Sequence, residues 1–222
     1  EIRTPLTLIK GPLENMLDRL PQIEDEETRE DLVTMDRNTT RLTELVTQIL
    51  DFRQTEQKGF SLEFSTVNLS RLLQEMFTNF KPLVKKKHLS YTLSVPENTI
   101  EIQADEDALR KIISNLLSNA IKYADKIVKL RLFRDDVPAG KLILEIENDG
   151  YPIPAEIREK IFEPFYRVKE TARQKGTGIG LTLARSLTEL HGGRLYLKDH
   201  KGSTNIFVLE IPLHSSKRNR TE

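Results

Sequence analysis

The chain has 222 residues, 34 Lys+Arg balanced by 34 Asp+Glu, and 37% apolar residues, enough for one or two domains whose core needs no disulfide. Cysteine is absent, which excludes disulfides, thiolate metal sites and thiol catalysis. No apolar run reaches the roughly 20 residues of a membrane span, the start does not read as a signal peptide, and zero net charge argues against a general nucleic-acid binder, whose affinity rests on a basic surface. The sequence opens Glu1-Ile2-Arg3-Thr4-Pro5 without an initiator Met and reads as a piece of a longer protein.

Residues 1–20 are expected to be helical. Ile2, Leu6, Ile9, Leu13, Met16 and Leu20 step alternately by four and three, a coiled-coil seam. Pro5 falls in the first turns, where a missing amide is tolerated. After a polar connection, 21–27, a second helix is expected to about Thr55, with Leu32, Met35, Leu42, Leu45, Ile49 and Phe52 three, four or seven apart and Asn38 and Thr39 as a polar layer. The pair makes an αα-hairpin whose seam a second copy would cover. Glu56-Gln57-Lys58-Gly59 reads as a linker. Beyond it, strands are expected at 62–64, 89–95, 100–102, 126–134, 141–148, 194–199 and 204–212, and helices at 68–86, 105–123, 154–163 and 178–191. The fold class is therefore α+β: a helical hairpin forming a dimeric four-helix bundle, followed by an α/β sandwich with a mixed sheet and helices on one face. The domains are 1–57 and 58–215, with a polar, basic tail over 216–222.

The helix expected over 105–123 carries an apolar stripe of Leu109, Ile112, Ile113, Leu116, Leu117 and Ala120. Asn115, Asn119 and Lys122 fall within a narrow arc of the roughly opposite face. A solvated face would account for any one of them. Together, an amide oxygen suited to Mg²⁺ and a Lys able to neutralise phosphate one turn away make the arc resemble a nucleotide-binding floor. Gly176-Thr177-Gly178-Ile179-Gly180-Leu181 opens the last long helix, where glycines admit a ligand to the backbone and free amides face an anion. It is neither a Rossmann fingerprint, for want of an immediately preceding strand, nor a Walker loop, for want of Gly-Lys-Ser/Thr. The stretch 167–175 sets Arg167, Lys169, Arg173 and Lys175 against Glu170 alone, as a surface loop or as a cationic lid over phosphates. Phe162, Phe165 and Tyr166 before it are read as core anchors of that lid. Asn148-Asp149-Gly150-Tyr151-Pro152-Ile153-Pro154 ends a strand, either as an ordinary turn or as an acceptor for the exocyclic amine of adenine.

In this order the segments resemble the ATP-binding domain of sensor histidine kinases, within the ATPase superfamily shared with type II topoisomerases and heat-shock chaperones. Asn115 to Tyr123 matches the asparagine box and Phe162 to Tyr166 the phenylalanine box. Gly176 to Leu181, with His191-Gly192-Gly193, matches the second glycine box and its helix. Residues 1–55 resemble the dimerisation and histidine-phosphotransfer hairpin, Glu1 to Leu6 being the sequence directly after the phosphoacceptor His. The resemblance implies ATP and Mg²⁺ as cofactors, with Asn119 as the metal ligand and Lys122 near the phosphates. Asn115 stands where ATP hydrolases of the superfamily carry a water-activating Glu, and Tyr123 borders the nucleotide. The first glycine box, Asp-x-Gly-x-Gly in the family, has Asn148, Gly150 and Pro152 at its three fixed positions, so that Asn148 or its neighbour Asp149 would meet adenine. Arg167 and Lys175 would face the triphosphate, and Gly176, Thr177, Gly178, Ile179, Gly180 and Leu181 would cradle it. Glu1 would be the general base beside the phosphoacceptor, and Thr4 would position water for dephosphorylating the regulator. The phosphoacceptor itself is expected just before Glu1. His88, His191, His200 and His214 are not candidates, His191 being read as structural.

The function so implied is ATP-dependent phosphorylation of a protein His and transfer to an Asp of a response-regulator receiver domain. The implied partners are a second copy through residues 1–55 and that receiver domain, with no nucleic acid. A membrane enters only through an N-terminal part outside this sequence, the chain being the cytoplasmic portion of a membrane-anchored receptor. Two rivals stand beside this reading. One is an ATP hydrolase of the same superfamily, disfavoured because the Asn115 amide cannot act as a general base. The other is a non-enzymatic, nucleotide-gated dimer scaffold, favoured by the altered glycine box. Without the His, the chain is expected to bind nucleotide, dimerise and dock the regulator, but not to phosphorylate itself.

Overall fold

A computed structural model describes residues 3–23, 25–57, 61–135, 140–171, 174, 176–199 and 202–213, the side chains of 3–5 and 22 excepted. It divides the chain into two compact units, Glu1–Glu56 and Gln57–Glu222.

The first unit pairs α1 (Arg3–Leu17) with α2 (Glu26–Glu56) through a 3-10 turn at Leu20–Gln22. Asp25 starts α2: its carboxylate accepts the Thr28 amide at 3.0 Å, and hydrogen bonds from Thr28 hold its pKa below the ordinary value. Glu26 and Glu27 in the first turn suit the positive end of the helix dipole. Leu6, Leu13 and Leu32 are buried, whereas Ile9 and Met16 on α1 and Met35, Leu42 and Ile49 on α2 are exposed. The single seam expected from the spacing is therefore two faces. A pair of helices shares one groove, which Leu6 and Leu13 fill, and the heptad-spaced remainder faces away from it.

In the second unit, β1 (Ser65–Asn68), α3 (Leu69–Lys86), β2 (Ser90–Ser94), β3 (Glu101–Ala104), α4 (Glu106–Tyr123), β4 (Ile127–Arg134), β5 (Lys141–Asn148), α5 (Gly180–Leu190), β6 (Arg194–Leu197) and β7 (Asn205–Pro212) follow in chain order. β1 and β3 form a two-stranded ribbon, and the main sheet has the order β2-β4-β5-β7-β6. β2 runs parallel to β4, and the remaining neighbours are antiparallel. Period-two alternation sets the two faces of the sheet. Leu142 and Leu144 of β5 and Leu209 and Ile211 of β7 meet Leu69 of α3 and Leu109 and Ile113 of α4 around a small apolar void. On the opposite face, Glu145 is only 4% exposed. Arg131 Nη2 on the neighbouring β4 donates to it at 2.8 Å and Lys198 Nζ, just past the edge strand β6, at 2.7 Å, so the buried charge is matched by two cations.

α4 carries Asn115, Asn119 and Lys122. Every residue of its predicted stripe, Leu109 through Ala120, is inaccessible to solvent, and each such Leu or Ile contributes about 1.5–3 kcal/mol. Asp105 caps its start, accepting the Ala108 amide at 2.9 Å. Its end is capped from outside the helix: Lys87 Nζ donates to the carbonyls of Ile121 at 2.8 Å and Lys122 at 2.7 Å. Burial, together with the neighbouring Lys122 charge, pushes the Lys87 pKa down. The next residue, His88, has φ 55°, a left-handed conformation uncommon outside glycine.

Two expected elements differ. Residues 62–64 form no strand; the ladder with β3 begins at Ser65, and Phe64 packs edge-on against His191 with ring centroids 5.5 Å apart. Residues 154–163 form two 3-10 turns, Ala155–Ile157 and Lys160–Phe162, instead of an α-helix. Their amides bond three residues back, Arg158 to Ala155 and Phe162 to Glu159, and Thr182 Oγ1 on α5 takes the Phe162 carbonyl at 2.8 Å.

Candidate functional site

Asn115, Asn119 and Lys122 lie half-buried along α4, and two of the three meet the glycine segment that opens α5. A Cβ on Gly180 would fall 2.9 Å from Asn115 Oδ1, and one on Gly176 would fall 2.6 Å from Lys122 Nζ. Lys122 Nζ also donates to the Tyr123 hydroxyl at 2.7 Å and lies 4.3 Å from that ring's centroid. Gly178 has φ 76°, and its carbonyl accepts the Phe165 amide at 2.9 Å. A side chain there would be strained and would also run into the Phe165 backbone, 2.7 Å away. Thr177 Oγ1 accepts the Ile179 amide at 3.1 Å. The Ile179 side chain is fully buried, so this residue can offer a ligand only its backbone. Leu181 is half-buried in the first turn of α5.

The phenylalanine segment divides. Phe162 is buried, set edge-on to Phe207, with the Arg185 guanidinium 4.1 Å from its ring. Phe165, expected to be a core anchor, is 64% exposed. Its φ of 64° and its backbone bond to Gly178 turn the side chain outward. Arg167 is exposed and its Nη2 donates to the Gln174 carbonyl at 2.6 Å.

At the end of β5 the neighbours Asn148 and Asp149 behave differently. Asp149 Oδ1 accepts the amides of Asp125 at 3.1 Å, Lys126 at 3.0 Å and Ile127 at 2.9 Å, closing the turn between α4 and β4. Burial raises its pKa, but these amides outweigh that effect and leave the net value below the ordinary one. Asn148 is 2% exposed, and its Nδ2 is buried without a hydrogen-bond partner among the described residues. Gly150 lies against the Tyr123 carbonyl, where a Cβ would come within 1.8 Å. Asn205 of β7, not singled out by the sequence, pins the loop that follows: its Oδ1 accepts the Ile153 amide and its Nδ2 donates to the Tyr151 carbonyl, each at 2.9 Å. Glu1, the side chain of Thr4, Arg173 and Lys175 lie outside the described residues.

His191 is buried and structural. Its Nε2 accepts the Asp105 amide at 3.2 Å, so its proton sits on Nδ1, 2.7 Å from the Leu187 carbonyl. Burial pushes its pKa below the ordinary value.

Residues 104–215 match the family model described as histidine kinase-, DNA gyrase B- and HSP90-like ATPase, and residues 1–58 match that of the His Kinase A (phospho-acceptor) domain. The chain belongs to the histidine kinase family. It is 30% identical to histidine kinase P4 of Formosa agariphila over 96% of its own length and 16% of that protein's. With the sensor histidine kinase WalK of Bacillus subtilis it shares 27% identity over 94% of its length and 35% of WalK's. The chain therefore spans a minor part of these relatives. Among solved structures, full-length ShkA in complex with AMPPNP shares the fold over 97% of this chain and 44% of that one, with TM-score 0.80 and 24% identity. The histidine kinase ThkA in complex with the response regulator TrrA matches over 98% of this chain and 61% of that one, with TM-score 0.67 and 25% identity. This histidine kinase core thus joins a helical hairpin to an ATP-binding domain of ATPase type.

Proposed function

We propose that this chain binds Mg-ATP between α4 and the glycine segment, and that it serves phosphorylation of a His preceding Glu1, followed by transfer to an Asp of a response-regulator receiver domain. The observation that carries the reading is the meeting of Lys122 with Gly176 and of Asn115 with Gly180. The residues fit the ligand: the glycines leave room that a Cβ would fill, and the buried Asn148 Nδ2 has no partner among the described residues. Asn148 rather than Asp149 then meets adenine, because the Asp149 carboxylate already serves three amides. Among the described residues no cluster of His, Cys, Asp or Glu would hold a metal by itself. Asn119 Oδ1 is the protein oxygen that would hold Mg²⁺. When bound it supplies neutralisation of the triphosphate charge. Lys122 adds a second cation, and the resemblance adds Arg167 and Lys175 as further charges toward the triphosphate.

Asn115 fits this function better than ATP hydrolysis, since an amide cannot take a proton from water near neutral pH. Glu1 would instead remove the proton from the phosphoacceptor His, and Thr4 would orient water when the regulator is dephosphorylated. The outward face of the hairpin, Ile9, Met16, Met35, Leu42 and Ile49, fits a second copy, giving the four-helix bundle through residues 1–55. No helix of the described residues is long and apolar enough to cross a membrane; we place the chain on the cytoplasmic side of a receptor anchored by another segment.

A chain extended by a His before Glu1 should take up phosphate from ATP in acid-labile, base-stable form, as a phosphoramidate does. Glu1→Gln in that extended chain should slow labelling by about 100-fold or more. Binding of Mg-ATP and dimerisation without any labelling would favour the scaffold instead.

A further inference from the structure

Asn148 lies between β4 and β7, its Cα paired with Val128 on one side and Asn205 on the other. The ladder fixes the backbone, and the terminal carboxamide torsion about Cβ–Cγ is of the broad, two-fold kind. The residue is 2% exposed and its Nδ2 is a buried donor without a partner among the described residues, a costly state unless a ligand completes it. A Cβ on Gly150 would come within 3.1 Å of this nitrogen and 1.8 Å of the Tyr123 carbonyl oxygen, so only glycine fits where the backbone passes the unused amide. The polar groups nearby are committed. Asp149 is bound to the amides of residues 125–127, and both amide atoms of Asn205 are bound to the loop at 151–153. The group left to read a base edge is therefore one that carries both a donor and an acceptor.

Adenine presents a donor, the N6 amine, beside an acceptor, N1. Guanine and hypoxanthine present the reverse, the acceptor O6 beside the donor N1–H. A carboxamide matches the first pattern in one orientation and the second after a half-turn. A carboxylate at the same place matches the adenine amine but sets lone pairs against O6. Resting on the nucleotide site proposed above, we propose that Asn148 makes this site a general purine-nucleotide site, taking 6-oxopurine triphosphates as well as ATP by inverting its amide.

The test is equilibrium binding of Mg-ATP, Mg-GTP and Mg-ITP to the full chain and to Asn148→Asp. The unaltered chain should bind GTP and ITP within about tenfold of ATP, and Asn148→Asp should shift the ratio toward ATP by roughly 30-fold or more, since a mismatched buried polar pair is rejected far more strongly than a mere change of size. Asn148→Ala is the second variant, in case a buried carboxylate disturbs folding. It removes both hydrogen-bonding atoms and should weaken ATP and GTP by similar factors. The proposal is overturned if the unaltered chain binds ATP but rejects GTP and ITP by more than about 100-fold, or if Asn148→Asp leaves the ratio unchanged. Failure of every nucleotide to bind the unaltered chain refutes the nucleotide site itself, and this proposal with it.

Discussion

Asp149→Ala distinguishes a residue that holds the site from one that reads the ligand. The Asp149 carboxylate accepts the amides of Asp125, Lys126 and Ile127, and its removal leaves all three without that partner. A hydrogen bond to a charged group contributes about 1.5–3 kcal/mol, and water at this half-buried turn replaces part of it, so a net loss of roughly 2–4 kcal/mol is expected. For a domain of this size that corresponds to about 2–4 °C per kcal/mol, a fall in Tm of roughly 4–16 °C in the second unit. Asp149→Asn keeps an acceptor and loses only the charge, so its loss should be smaller. Because the folded-state pKa lies below the ordinary value, the stabilisation is present above the unfolded pKa of about 3.9 and is lost as pH falls through the folded one. Amide hydrogen exchange gives the local assay: protection at residues 125–127 should drop in Asp149→Ala. ATP affinity, measured well below the lowered Tm, should change much less than it does in Asn148→Ala. A variant with unchanged Tm and abolished ATP binding would refute this reasoning and make Asp149 the adenine ligand.

Leu42 is 49% exposed on the isolated hairpin. Leu42→Asp should therefore leave helicity intact, while two symmetric losses of about 1.5–3 kcal/mol raise the dimer dissociation constant by roughly 100-fold or more in sedimentation experiments; an unchanged constant would exclude this face. Gly178→Ala adds left-handed strain of about 1–2 kcal/mol and a contact of 2.7 Å with Phe165, and should reduce ATP affinity. Gly192→Ala, with φ 71° but only Pro212 at 3.9 Å, should destabilise the domain without that loss, and equal effects on affinity would deny Gly178 a role at the site. Burial lowers the His191 pKa, so the unfolded chain binds a proton there more readily. Stability should then fall as pH drops below about 6.5, and His191→Gln should flatten that part of the unfolding profile.

The core helix was legible because its apolar period continues unbroken from Leu109 to Ala120, and the same period left Asn115, Asn119 and Lys122 on one arc. The strands from β4 onward were legible from alternation, as in Leu142, Leu144 and Ile146 against Glu145 and Glu147. What escaped depends on partners far along the chain. Asp149 finds its amides more than 20 residues earlier, Lys87 finds its carbonyls more than 30 residues later, and Asn205 secures a loop more than 50 residues before it. Phe165 looked like a core residue because composition does not encode its positive φ. The region 154–163 kept enough apolar residues to suggest a helix, but its amides bond three residues back and form 3-10 turns. In the hairpin the heptad spacing was visible. The division of its members between Leu6 and Leu13 inside and Ile9 and Met16 outside required the partner helix.

The clamp of Lys87 on the last turn of α4 bears on the kinetics of ligand capture. A helix end left to itself frays and must be ordered each time a ligand docks on it. Here Lys87 draws two terminal carbonyls together and Asp149 secures the turn immediately beyond, so at the site proposed above the segment carrying Lys122 and Tyr123 would be in place before a nucleotide arrives. Little ordering entropy then remains to be spent on this side of the site at encounter. Nucleotides that differ only in their base should consequently share similar association rates and differ in residence time, which stopped-flow displacement would separate.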